Sequence, residues 1–131
     1  MKKEFRKCYI LRGIAGCGQS TLAKSIKEQN PNTEICSADD YWIDKTGKYN
    51  FDVTKLSDAH KACFELFSMF VQKGTNVIID NTNLKYSDIK KYIDYLVKNN
   101  NLNQYIYTIE FIEVSFNSLE DCIKHRSNRE D

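Results

Sequence analysis

Residues 9–26 read YILRGIAGCGQSTLAKSI, and how that stretch is parsed decides the fold. Tyr9, Ile10 and Leu11 make an apolar run that suits a buried strand. Glycines at 13, 16 and 18 then break it, and Ser20 and Thr21 lead into the helix-forming segment Leu22 to Ile26. A strand that turns through glycines into a helix builds an anion cradle. Glycine permits positive φ and close backbone approach, and successive N–H groups converge at the positive end of the helix dipole. The phosphate-loop (Walker A) pattern G-x-x-x-x-G-K-[ST] belongs to that strand–loop–helix context. Gly13, Gly18 and Ser20 satisfy it, whereas Gln19 stands at its lysine position.

Outward from this stretch, strands and helices alternate. The first strand is predicted over Lys7–Leu11 and the first helix from Gln19–Ser20 to about Gln29, with Leu22, Ala23 and Ile26 inward. Asn30-Pro31-Asn32 stops that helix, because proline cannot extend it and its predecessor avoids the helical region. A short strand over Glu34–Ser37 leads into Ala38-Asp39-Asp40-Tyr41-Trp42, and Lys45-Thr46-Gly47-Lys48 reads as an exposed turn. Asp52 or Thr54 caps a long helix whose apolar face is Leu56, His60, Cys63, Phe67, Phe70 and Val71, and Gly74 closes it. The most apolar strand, Asn76–Ile79, runs into Asp80-Asn81-Thr82-Asn83. A helix from Ser87 to Lys98 turns Ile89, Tyr92, Ile93 and Leu96 inward and ends at Asn99-Asn100-Asn101. Tyr105–Val114 alternates partly, as an edge strand does. Ser118 then caps a last helix, with Glu120 and Asp121 in its first turn. Such alternation implies a parallel α/β sheet covered by helices.

At 131 residues the chain is expected to form one domain. A formal net charge of +1 supplies no global attraction to nucleic acid or a membrane surface, so a charged partner must be held by a local patch. No run reaches the length of a membrane span, and the Met-Lys-Lys-Glu start lacks the apolar region of a signal peptide. The five cysteines (Cys8, Cys17, Cys36, Cys63, Cys122) are scattered, with no C-x-x-C pair. The expectation is a cytoplasmic protein, reduced, whose thiols fill the core.

In open α/β sheets ligands bind beyond the carboxyl ends of the strands. Gly13–Thr21, Ser37–Asp40 and Asp80–Asn83 all fall at that edge, and the segment bearing Arg126 and Arg129 can reach it. Carboxylates beside a phosphate cradle are what phosphoryl transfer requires, to hold Mg²⁺ and to orient the attacking hydroxyl. Each piece also has a plainer reading. Asp39-Asp40 caps a helix from Tyr41, Asp80 forms a turn, the arginines are solvated helix-end charges, and His60 is a core histidine. Trp42 beside Tyr41 is either core filling or a base-stacking platform.

Taken in order, LRGIAGCGQSTLAKSI, SADDYW, the long helix with Ala59-His60, VIIDNTNL and the late arginines resemble the polynucleotide-kinase-like family of P-loop kinases, which includes the kinase domain of phage polynucleotide kinase. The resemblance covers nearly the whole chain. It implies a three-layer α/β/α P-loop NTPase of kinase type, with a mostly parallel sheet of four or five strands, ATP and Mg²⁺ as cofactors, and γ-phosphate transfer to a hydroxyl. The acceptor it implies is a polynucleotide 5′ end or a smaller nucleotide-like molecule. By position, Gly13, Ile14, Ala15, Gly16, Cys17, Gly18, Gln19, Ser20 and Thr21 would cradle the nucleotide. Ser20 and Asp80 would ligand the metal, Asp39 would be the general base, and Arg126 or Arg129 would close on the γ-phosphate. Asp40, His60, Asn81, Thr82 and Asn83 would line the acceptor side.

The sequence departs from that pattern in three places. Gln19 removes a full positive charge from the phosphates. Charge-assisted bonds are roughly twice as strong as neutral ones, and losing a phosphate clamp costs orders of magnitude in rate. Activity is therefore expected to be impaired, and a nucleotide-binding pseudokinase or partner-binding module is the alternative. Ala38 and Trp42 stand where the phage enzyme has arginines for the acceptor's phosphate, which weighs against a nucleic acid end. Relatives also continue into a further helix beyond the point where this sequence stops.

Overall fold

The computed structural model describes residues 3–14 and 18–114. Strand β1 (Glu4–Arg12) is followed by helix α1 (Gln19–Gln29), strand β2 (Thr33–Cys36) and a short 3₁₀ turn (Ala38–Trp42). A second 3₁₀ turn (Val53–Lys55) runs directly into helix α2 (Leu56–Gln72), and then come β3 (Asn76–Asp80), α3 (Tyr86–Leu102) and β4 (Tyr105–Glu113). The four strands form one sheet in the order β2-β3-β1-β4, with every pairing parallel. Helical crossovers make that arrangement possible, since parallel neighbours cannot be joined by a hairpin.

Strand periodicity sorts the apolar residues onto two faces. Cys8 and Ile10 of β1, Val77 and Ile79 of β3, Cys36 of β2 and Tyr107 of β4 point to the side covered by α2 and α3. Leu11, Ile78 and the half-buried Tyr9, Ile35 and Ile112 point to the other side, against Ala23, Leu22 and Ile26 of α1. The architecture is thus three-layered, as expected. Cys8, Cys36 and Cys63 are buried free thiols, and burial pushes the Cys8 and Cys36 pKa values well up. That suits inert core fillers.

Several boundaries differ from expectation for identifiable reasons. β1 starts at Glu4 rather than Lys7, because β4 pairs with it from Glu4 opposite Tyr105 to Arg12 opposite Glu113. α3 does not stop at Asn99-Asn100-Asn101. Asn99 and Asn100 instead turn their amides sideways, donating to Tyr105 O at 3.1 Å and Tyr107 O at 2.9 Å, while Asn100 Oδ1 accepts from Tyr107 N at 2.8 Å. The triplet that looked like a helix stop therefore fastens α3 to β4. On α2 the fully buried stripe is Ala59, Cys63, Phe67 and Val71. Leu56 is 43% exposed and His60 is half-buried, so neither is a core residue. The helix expected after Ser118, with Glu120 and Asp121, lies outside the described residues.

The register positions the site. Leu11 lies opposite Asp80 and Cys36 opposite Ile79, so the chain leaves β1, β2 and β3 at one level and all three exits open on the same edge.

Candidate functional site

The N-terminus of α1 is the first component. Gly18 occupies its N-cap position in the left-handed conformation, with φ at +89°, which favours glycine. Its carbonyl accepts from Leu22 N at 3.1 Å. Among the described residues no side chain caps this end, and its first turn holds no carboxylate. The leading amides of α1 are thus open to an anion. Gly13 shows the other use of glycine. Its N–H donates to Thr82 O at 3.0 Å, and a Cβ there would sit 2.4 Å from Val114 O. Any larger residue would push the β1 exit away from β4.

Asp80, the last residue of β3, faces α1. Its Oδ1 accepts from Gln19 Nε2 at 2.9 Å and its Oδ2 from Ser20 Oγ at 3.2 Å. Gln19 Nε2 also donates to Asn81 O. Gln19 Oε1 is buried without a hydrogen-bond partner among the described residues. Burial raises the Asp80 pKa above its ordinary value; the Gln19 and Ser20 hydrogen bonds oppose this, Asp39 adds to it, and Lys24 opposes it weakly.

Asn81 joins this cluster to the acidic turn. Its Oδ1 accepts from Ala38 N at 2.8 Å, and its Nδ2 points at Cys63 Sγ, 3.6 Å away. Ser37, not an aspartate, caps the 3₁₀ turn, accepting from Asp39 N at 3.2 Å. Asp39 and Asp40 are left in its first turn, both exposed. The Asp40 pKa is raised by partial burial first, then by the charges of Asp39 and Asp80. Asp39, Asp40 and Asp80 therefore lie close enough to feel one another's charge.

Asn83 is placed differently from its neighbours. It is only 2% exposed, has φ of +51°, and donates through Nδ2 to Leu11 O at 2.7 Å and Asn81 O at 3.1 Å. Arg12 Nε donates to its carbonyl at 2.9 Å. Asn83 ties the exits of β1 and β3 together, so its amide is spent on the backbone. Trp42 is 4% exposed and packs edge-on against Tyr41 and Phe51, which decides for core filling. His60 lines a groove with Asn81, Thr82 and Asn83. Ile14, Ser20 and Thr21 are exposed, whereas Ala15, Gly16, Cys17, Arg126 and Arg129 lie outside the described residues.

The donor set suits the groups that the sequence implies. Ser20 Oγ and Asp80 Oδ2 are adjacent hard oxygens of the kind a small divalent cation takes, alongside oxygens from other sources. The open end of α1 suits phosphate oxygens. Sequence reading missed Lys61 and Lys91, which line the groove with His60. For Lys91 a signal existed, since Lys90 has an acidic partner four residues on and Lys91 has Tyr95 there instead.

Residues 9–129 match the AAA_33 family, an AAA domain. Human NEDD4-binding protein 2 is 41% identical over 91 residues, which is 64% of this chain and 5% of that protein; the chain thus spans only a small part of this curated relative. Among solved structures, a chain of a Pnkp1/Rnl/Hen1 complex superposes with a TM-score of 0.69 at 22% identity, covering 100% of this chain and 42% of that one. The APS kinase CysC of Mycobacterium tuberculosis does so with a TM-score of 0.57 at 10% identity, covering 82% of this chain and 76% of that one. At those identities the likeness is one of fold: a parallel α/β sheet of the P-loop kinase kind.

Proposed function

The chain belongs to the AAA_33 family, and from that premise we propose that it binds a nucleoside triphosphate with Mg²⁺ and transfers the γ-phosphate to a hydroxyl acceptor. The observation that carries this reading is the meeting, at one edge of the sheet, of the start of α1, the Ser20–Asp80 oxygen pair and the Asp39-Asp40 turn, which Asn81 ties to the end of β3. In this reading the amides from Gly18 to Thr21 hold phosphate oxygens, and Ser20 and Asp80 hold the metal. Bound there, Mg²⁺ offsets phosphate charge. Asp39, exposed in the 3₁₀ turn, receives the proton of the acceptor hydroxyl as it attacks. Asp40 and Thr82 border the acceptor, while Asn81 and Asn83 keep the Asp39 turn and Asp80 in register. Arg126 or Arg129, by the resemblance, neutralises the γ-phosphate.

A second reading has its own observation. Gln19 spends its amide N–H groups on Asp80 and on the Asn81 carbonyl, so the loop carries no cation of its own. A nucleotide-binding module that turns over slowly or not at all fits that arrangement.

One experiment separates the two. Mg-ATP should raise the melting temperature of the native protein in either case. Radiolabelled ATP incubated with 5′-hydroxyl oligonucleotides and nucleosides then reports transfer. Gln19→Lys should raise the transfer rate about 10²–10³-fold, the scale on which a preorganised charge-stabilising group acts. If it yields no transfer to any acceptor while the Mg-ATP shift persists, the binding module is the correct reading. If neither is seen, both fail.

A further inference from the structure

The side chain of Gln19, the first residue of α1, is held from one end only. Its Nε2 faces two acceptors, Asp80 Oδ1 at 2.9 Å and the Asn81 carbonyl oxygen. A carbonyl has no proton to give, so the amide cannot be turned round and Oε1 must face the other way. That oxygen is buried, and no described residue donates to it. A buried oxygen without a donor is uncommon and costs free energy that a partner recovers.

The surroundings say what the partner is. Gln19 stands where the phosphate-loop pattern has its lysine, beside the leading amides of α1 that suit phosphate oxygens. An amide oxygen and a phosphate oxygen repel each other unless a cation lies between them. Neither lysine of α1 meets Oε1: Lys27 is paired with Glu34 at 3.1 Å, and Lys24 is exposed and makes no bond to it. The spot where a Cβ on residue 13 would stand lies 3.3 Å from Gln19 Oε1 and nearer still to the Val114 carbonyl oxygen. Two neutral, amide-type oxygens thus border one place beside Gly13. Oxygens of that kind replace the water shell of a monovalent ion. Mg²⁺ gives up its water reluctantly and favours carboxylates, and the Ser20–Asp80 pair supplies one.

We propose that Gln19 Oε1 binds an alkali-metal cation, K⁺ or Na⁺, which bridges to the phosphates of a bound nucleotide. The ion brings from solution the positive charge that the lysine position lacks. The inference rests on the nucleotide-binding reading and adds a monovalent ion to it.

The test is calorimetric titration of Mg-ATP into the native protein at one ionic strength, in KCl, NaCl or N-methyl-D-glucamine chloride, whose bulky organic cation does not fit the site. Affinity should be about tenfold higher in at least one alkali salt than in N-methylglucamine, the scale of one charge-assisted contact. The K⁺ and Na⁺ arms identify the ion. Gln19→Lys should bind equally well in all three salts, because its ammonium takes the ion's place. Gln19→Leu, similar in size but without the oxygen, should bind equally weakly in all three. Since either substitution can disturb the fold, the native protein gives a second measurement. Crystals grown with Tl⁺, a heavy stand-in for K⁺, and a non-hydrolysable ATP analogue should show an anomalous peak beside Gln19 Oε1. An alkali preference that survives Gln19→Leu, or Tl⁺ bound only elsewhere, overturns the proposal. If Mg-ATP binds the native protein equally in all three salts, the cation assignment alone is wrong. If Mg-ATP binds in none of them, the nucleotide-binding reading is wrong and the cation assignment falls with it.

Discussion

The two faces of the sheet are held by different forces. On one side α2 and α3 pack a continuous apolar layer in which Phe67 and Tyr92 are fully buried, with ring centroids 4.9 Å apart. Phe64 and Tyr95 extend it. On the other side the fully buried residues among those described are only Leu11, Ala23 and Ile78. There α1 packs Leu22, Ala23 and Ile26 on a smaller apolar patch, and Gln19 and Ser20 at its start add hydrogen bonds to Asp80 of β3. The first face is a core of the usual kind, stabilised by area removed from water. The second places a helix terminus with polar bonds whose partners are the candidate site.

Three substitutions test that contrast, beginning with the largest effect. Phe67→Ala should cost about 3–5 kcal/mol in denaturant unfolding, because it removes a large buried ring and leaves a cavity. A cost near 1 kcal/mol would show that the α2–α3 face is not the dominant core. Asn81→Ala should cost less, about 1–3 kcal/mol, by leaving the Ala38 N–H without its acceptor. It should also weaken phosphate transfer while sparing the Mg-ATP melting shift, since the acidic turn moves and the α1 terminus does not. Loss of the shift with transfer unchanged would reverse that assignment of parts.

The smallest effect belongs to Asp80→Asn, and its sign depends on pH. Burial raises the folded-state pKa of Asp80 above the ordinary value of 3.8. The protonated carboxyl therefore favours the fold; that contribution is complete below the unfolded pKa and is lost as pH rises through the raised folded value. Asp80→Asn should accordingly raise the melting temperature of the ligand-free protein at pH 7, with a gain that shrinks toward pH 3.5. The same substitution should weaken Mg²⁺-dependent stabilisation by ATP. A pH-independent gain would mean that packing, not ionisation, separates the two side chains.

Much of this was legible along the chain, and the exceptions share a cause. The end of β1, the left-handed Gly18 at the start of α1, the acidic pair after β2 and Asp80 at the end of β3 were marked by local chemistry. Glycine, alternating apolar residues and a carboxylate after an apolar run each point to one local structure. Where a residue's meaning came from another element, sequence reading went astray. Asn99 and Asn100 look like a helix stop until β4 supplies the backbone they bind. His60 fits a helical apolar face, yet it borders the gap between α2 and α3. Asn83 resembles a solvent-facing site residue but is buried against the β1 exit.

The sequence alone determined the alternation of strands and helices and the glycine that opens α1, because these depend on residues within a few positions of each other. Only the tertiary structure decided that β1 lies between β3 and β4, that Ser37 rather than an aspartate caps the acidic turn, and that Lys61 and Lys91 share a groove. Those outcomes depend on strand order and register, which bring together groups distant along the chain, and no local preference encodes that distance.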